Sequence, residues 1–136
     1  MHLKAIELKN DLNKKGNRLT KQRLVILEYL KSVTCHPTAE IIYTNVRKNL
    51  PNISLGTVYR NLHYLTDNNY IIEIKSKDGF AHYDGNTDYH LHFICQKCNE
   101  IIDIFDTKYI KFNDLSDFGK INSIETNLYG VCKKCI

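Results

Sequence analysis

The chain has 136 residues, 43% hydrophobic and 25% charged, with a formal net charge of +4, which is enough for one or two small domains. It has no apolar run near the ~18 residues that a membrane span needs. The charged N-terminal stretch of residues 1–16 lacks the apolar core of a signal peptide, so no membrane partner is expected, and a cytoplasmic setting with reduced thiols is.

The charge is unevenly placed. Residues 1–66 hold 11 Lys+Arg against 4 Asp+Glu, whereas residues 67–136 hold 8 against 11. A basic half suits phosphate partners and an acidic half supplies oxygen ligands for cations, although ordinary solvated surface charge gives the same counts. Residues 3–14 read as a short amphipathic helix with Leu3, Ile6, Leu8 and Leu12. Thr20 caps the next helix, which runs to about Val33 with Ile26, Leu27 and Leu30 at helical spacing. Pro37 interrupts the pattern, because the residue before a proline resists helical torsions. Thr38 then caps a third helix with Ile41, Ile42, Val46 and Leu50.

Pro51 ends that segment and Ser54 caps a fourth. Leu55, Val58, Leu62 and Leu65 form one apolar stripe. On the other side Thr57, Tyr59, Arg60 and Asn61 are expected to face outward. Tyr70–Lys75 and Phe80–Asp84 are strand-like runs around Lys77-Asp78-Gly79, a hairpin signal. A polar connector, 85–89, follows. Strands are expected at His92–Cys95, Glu100–Phe105 and Ile121–Leu128, with a helix within 107–118. Helices followed by a hairpin make an N-terminal winged helix-turn-helix domain over residues 1–84, in which Ser54–Leu65 is the helix that enters the major groove. A plain helical bundle with a polar surface fits the same pattern. On the winged-helix reading, Ser54, Thr57, Tyr59, Arg60 and Asn61, with Arg18 and Lys21, are the DNA contacts: Arg reads guanine edges, Asn reads adenine edges, and hydroxyls hold phosphates.

Two Cys-x-x-Cys pairs, Cys95–Cys98 and Cys132–Cys135, bracket the last third of the chain. Four thiolates complete the tetrahedral shell that Zn²⁺ prefers in closed structural sites, while two disulfides or one redox-active pair are the alternatives. A second constellation has no sulfur. His90 and His92 alternate on a strand-like segment, so their rings share one side. Asp84 lies upstream, Asp103 downstream, and His36 follows the second helix. Three imidazoles and two carboxylates suit Fe²⁺ or Mn²⁺ as a regulatory ion better than a structural zinc. Singly, each histidine is more often a surface or hydrogen-bonded residue, and His2, His63 and His82 take that reading.

Taken together, Leu19-Thr-x-x-Arg23, His36-Pro37-Thr38-Ala39, Ser54-Leu-Gly-Thr-Val-Tyr-Arg-Asn-Leu62, His90-Leu-His-Phe-Ile-Cys95 and Val131-Cys132 resemble the ferric uptake regulator family along nearly the whole chain. The resemblance implies an α+β protein with a C-terminal α/β dimerisation domain over residues 85–136. It implies a homodimeric, metal-activated repressor that is not an enzyme and binds a double-stranded DNA operator of inverted-repeat form. It is closest to the peroxide-responsive branch, which implies structural Zn²⁺ on Cys95, Cys98, Cys132 and Cys135. It further implies Fe²⁺ or Mn²⁺ on His36, Asp84, His90, His92 and Asp103, with His36 and His90 as oxidation-sensitive ligands. The iron-sensing branch usually carries glutamate where this chain has Asp84 and Asp103, and a further histidine where it has Tyr89. A cytosolic Cys-x-x-Cys thiol oxidoreductase is the reading from a different class. It calls for a flanking βαβ pattern, which the helices-then-strands order does not supply.

Overall fold

A computed structural model describes residues 20–106, 108 and 115–136. The helix expected over 3–14, the DNA contact assigned to Arg18, and most of the helix expected within 107–118 lie outside the described residues. The chain divides into two compact units, with the boundary between Thr87 and Asp88. No helix among the described residues is long and apolar enough to cross a membrane.

The first unit begins with α1, Lys21–Ser32, whose start is set by the Thr20 hydroxyl accepting the Arg23 N–H at 3.2 Å. Ile26, Leu27 and Leu30 form its buried face. Helix α2, Ala39–Val46, is capped in the same way by Thr38. It stops four residues short of the expected Leu50, whose N–H still reaches the Val46 carbonyl at 2.9 Å. Helix α3, Leu55–Asp67, starts on the Ser54 cap and buries Val58, Leu62 and Leu65. These three stripes meet in one core with Ile42, Val46 and Ile71. Burying each such aliphatic side chain stabilises the unit by about 1.5–3 kcal/mol before the entropy of ordering it is set against the gain.

The hairpin follows as β1, Ile72–Lys75, and β2, Ala81–Asp84, antiparallel with Ile72 opposite Asp84. Its turn is tied by the Asp78 carboxylate accepting the Phe80 N–H at 2.8 Å, and Gly79 takes the positive φ of 86° that the turn needs. The outer side of β2 meets the segment between α1 and α2: Thr38 bridges His82, and the Tyr83 N–H donates to the Pro37 carbonyl at 3.0 Å. The hairpin is thereby fastened to the stretch that carries His36.

The second unit is a three-stranded sheet in the order β4-β3-β5. Central β3, Leu91–Cys95, pairs antiparallel with β4, Ile101–Ile104, and parallel with β5, Thr126–Gly130. The last strand differs from the expected Ile121–Leu128. Residues 121–125 are exposed and unpaired in strand terms, and pairing begins where Thr126 meets Leu91. Apolar residues in 121–128 therefore marked no buried face. Gly130 ends β5 against Phe93, with the ring 3.2 Å from where a Cβ would stand.

Candidate metal centres

Both Cys-x-x-Cys pairs end up at one corner of the second unit. Cys95 closes β3 and Cys98 lies within the turn that follows, which ends at Asn99 with a positive φ of 62°, a conformation asparagine tolerates. Cys132 follows β5, and a turn from its carbonyl to the Cys135 N–H, at 2.9 Å, brings the fourth thiol round. The four sulfurs lie within 4.8 Å of one another, and Cys98 Sγ is 3.8 Å from Cys132 Sγ. A zinc tetrahedron with bonds near 2.3 Å has an edge of about 3.8 Å, whereas a disulfide requires about 2.05 Å. None of the five cysteines is in a disulfide.

The electrostatics agree with a cation at this corner. Cys95 Sγ accepts the N–H of Cys132 at 3.4 Å and that of Cys98 at 3.5 Å. These two donors, Cys132's first, hold its thiol down at about 6. Cys135, hydrogen-bonded to the sulfurs of Cys132 and Cys98, is pushed up to about 12. Four crowded thiols cannot all ionise against one another, and a divalent cation among them removes that conflict. The donor set and spacing fit Zn²⁺.

The sulfur-free residues form a pair in the first unit and a cluster in the second. In the first, His36 Nε2 lies 3.4 Å from Asp84 Oδ2, with the side chains only 5% and 10% exposed. The other Asp84 oxygen accepts the Asn86 N–H at 2.8 Å, which fixes the carboxylate. Gly85 presses on the end of α1. Its carbonyl accepts Lys31 Nζ at 2.9 Å, and a Cβ there would sit 2.7 Å from the Leu30 carbonyl oxygen.

In the second unit, His90 and His92 lie on one side of the chain, ring centroids 4.5 Å apart. Register puts Asp103 opposite His92, and its Oδ1 lies 3.3 Å from Nε2 of each histidine. His90 Nδ1 donates to the Asp88 carbonyl at 2.6 Å. In the neutral ring that bond leaves the lone pair on Nε2, facing the carboxylate. Two imidazoles and a carboxylate converging in a buried place present a nitrogen and oxygen donor set of the kind Fe²⁺ and Mn²⁺ take. The Phe105 ring, 5.1 Å from that of His90, covers one side.

On α3, Tyr59 and Arg60 are exposed as expected. The Tyr59 hydroxyl donates to Glu40 Oε1 at 2.8 Å, and Arg60 Nη2 donates to Thr57 Oγ1 at 2.9 Å. The Ser54 hydroxyl is engaged as the cap and with Thr57 Oγ1 at 2.9 Å. Lys21 stands exposed at the start of α1. Asn61 does not face outward as its neighbours do. It is buried, 8% exposed, with Nδ2 donating to the Thr57 carbonyl at 3.0 Å. The reason is helical geometry: Asn61 follows Val58 by three residues and precedes Leu65 by four, so it shares their inward face. That spacing was available in the sequence. Two other residues carried no such signal. His82, expected as a surface or hydrogen-bonded histidine, is hydrogen-bonded, but its partner, the His36 carbonyl oxygen 2.7 Å from Nδ1, lies 46 positions away, and Gly85 owes its place to a contact 55 positions back in the chain.

The sequence profile described as the ferric uptake regulator family matches residues 14–126. The peroxide-responsive repressor PerR of Staphylococcus epidermidis is 38% identical over 128 residues, covering 91% of this chain and 85% of that one. The crystal structure of the Campylobacter jejuni peroxide stress regulator superposes with a TM-score of 0.66 at 31% identity, covering 94% of this chain and 96% of that one. The Helicobacter pylori ferric uptake regulator, a protein described as having three functional metal-binding sites, superposes with a TM-score of 0.68 at 25% identity, covering 96% and 91%.

Proposed function

The chain belongs to the ferric uptake regulator family, whose members are metal-dependent, DNA-binding dimeric regulators of transcription rather than enzymes, and from that premise we propose that it is a cytoplasmic repressor that senses hydrogen peroxide. Cys95, Cys98, Cys132 and Cys135 hold a structural Zn²⁺ that stabilises the second unit. His36 and Asp84 from the first unit, with His90, His92 and Asp103 from the second, hold one regulatory Fe²⁺ or Mn²⁺. The single observation that carries this reading is that each unit pre-assembles its share of the ligands as buried histidine–aspartate contacts of 3.3–3.4 Å.

Ligands drawn from both units make the ion a clamp. A clamped dimer offers two copies of α3, with Tyr59 and Arg60 outward, to half-sites of an inverted repeat about one helical turn or a multiple of it apart. Because the clamped arrangement binds the ion more tightly, the ion shifts the population toward DNA binding. Fe²⁺, when bound, supplies the reduction of hydrogen peroxide that leaves an oxygen on a histidine ring, and Mn²⁺ does not. The residues of the chain decide where that damage falls. His90 is fully buried beside Phe105, and His36 is 5% exposed. Either ring, once oxidised, no longer presents Nε2 to the ion, the clamp opens, and repression ends.

The test loads purified dimer with Fe²⁺ or Mn²⁺, adds peroxide, and follows DNA binding together with mass spectrometry of tryptic peptides. One added oxygen on His36 or His90 with Fe²⁺, and none with Mn²⁺, is expected. Loss of DNA binding with both histidines intact and the cysteines oxidised would refute the reading. The likeness to the Helicobacter pylori ferric uptake regulator favours iron-responsive repression as the second reading. It is the outcome if Fe²⁺ controls DNA binding and peroxide has no effect.

A further inference from the structure

We propose that His82 is a positioning residue for the regulatory metal: its imidazole spans from the hairpin turn to the main chain at His36 and couples the two. The inference rests on the reading of His36 as a metal ligand. His82 Nδ1 lies 2.7 Å from the His36 carbonyl oxygen, and Nε2 lies 2.8 Å from Asp78 Oδ2. A carbonyl only accepts, so Nδ1 carries the proton of the first bond. Both side chains are largely shielded, His82 14% and Asp78 18% exposed. Asp78 is itself anchored, because its other oxygen accepts the Phe80 N–H at 2.8 Å. A continuous path therefore runs from the turn through Asp78 and His82 to the backbone of the ligand His36.

The backbone contacts between the hairpin and this segment do not depend on the imidazole. Thr38 bridges His82 and the Tyr83 N–H reaches the Pro37 carbonyl whatever side chain stands at 82. Removing the ring therefore leaves the first unit assembled but lets the His36 main chain shift by fractions of an ångström. Groups that orient a metal ligand set its affinity in this way. The same path runs in reverse. When His36 is held by the ion, the turn that carries exposed Lys77 and Phe80 is held with it, so occupancy of the metal site reaches the tip of the hairpin.

The experiment uses the full-length zinc-loaded dimer, titrated with Mn²⁺ alone by calorimetry, with hydrogen exchange of residues 76–82 followed in parallel. Wild type should bind one Mn²⁺ per chain and gain protection in that turn. His82→Ala should keep its zinc content and helical circular dichroism while Mn²⁺ binds about tenfold more weakly, and His82→Asn, whose amide nitrogen stands near the place of Nδ1, should return to within about threefold of wild type. At saturating Mn²⁺ the alanine variant should show no metal-dependent protection of the turn. Unchanged Mn²⁺ affinity in His82→Ala overturns the inference and leaves the proposed function standing. Equal losses in His82→Ala and His82→Asn also overturn it, since the donor at the Nδ1 place would then not matter. A wild type that binds no Mn²⁺ beyond the zinc overturns both. If His82→Ala fails to fold, Asp78→Ala carries the test. It should keep most of the Mn²⁺ affinity and lose the metal-dependent gain in protection of the turn, and a gain equal to that of wild type overturns the coupling.

Discussion

Replacing Cys95 by serine should unfold the second unit and leave the first intact. Among the described residues, fourteen of the eighteen buried hydrophobic positions lie in the first unit. The second has Leu91, Ile94 and two of its own cysteines. Its two aliphatic residues contribute roughly 3–6 kcal/mol. Structural zinc, worth about 10–16 kcal/mol in small zinc-finger peptides, outweighs that burial severalfold. Cys95 is the most consequential of the four, because it is fully buried and its sulfur also accepts two backbone N–H groups. Serine keeps an acceptor there but is a poor zinc ligand, so the variant separates loss of metal from loss of the hydrogen bonds. Zinc would be measured per chain by mass spectrometry, and folding by the dispersion of amide resonances of residues 91–95, 101–104 and 126–130. The expected result is no zinc, collapsed dispersion in those strands, intact signals from α1 to β2, and loss of the dimer in gel filtration. A zinc-free Cys95→Ser protein with native dispersion in the second unit would refute the argument.

Gly85→Ala places a Cβ 2.7 Å from the Leu30 carbonyl oxygen. The segment must then lift off α1 and carry Asp84 with it, at a cost of about 1–3 kcal/mol in thermal unfolding and with weaker Mn²⁺ binding by calorimetry. Asn61→Ala should lower stability by about 1 kcal/mol, since it removes the hydrogen bond to the Thr57 carbonyl. Its sequence preference in a DNA-binding selection should stay that of wild type, and relaxed preference at a single base pair would restore Asn61 as a reader. Arg60→Ala should weaken operator binding by about 1–3 kcal/mol in fluorescence anisotropy, with relaxed preference at one position if the guanidinium reads a base, or a salt slope lower by about one if it holds a phosphate.

Much of this protein was legible in its sequence because the signals are local. Thr20, Thr38 and Ser54 each place a side-chain oxygen where a helix start leaves donors unmet, and all three cap as the sequence implies. Lys77-Asp78-Gly79 makes the hairpin turn, and the spacing of Leu55, Val58, Leu62 and Leu65 sets one face of α3 toward the core. The inward place of Asn61 was legible too, from its distance to Val58 and Leu65. The end of α2 at Val46 and the start of β5 at Thr126 were not, because a strand begins where it finds a partner, and Thr126 finds Leu91 35 residues away.

Residue types and spacings determined which donors this chain could offer: four thiols in two pairs, and an alternating pair of imidazoles among carboxylates. Only the tertiary structure decided which of them meet. It brought Cys98 within 3.8 Å of Cys132, set one Asp103 oxygen between two histidines, and turned His82 from an ordinary histidine into a tie on His36. Those contacts span up to 46 positions of sequence, where chain spacing carries no geometric information. In the first unit they exist because the helices and hairpin that bear the residues bury their apolar faces in one core, and in the second because strand pairing fixes the register of β3 against β4 and β5.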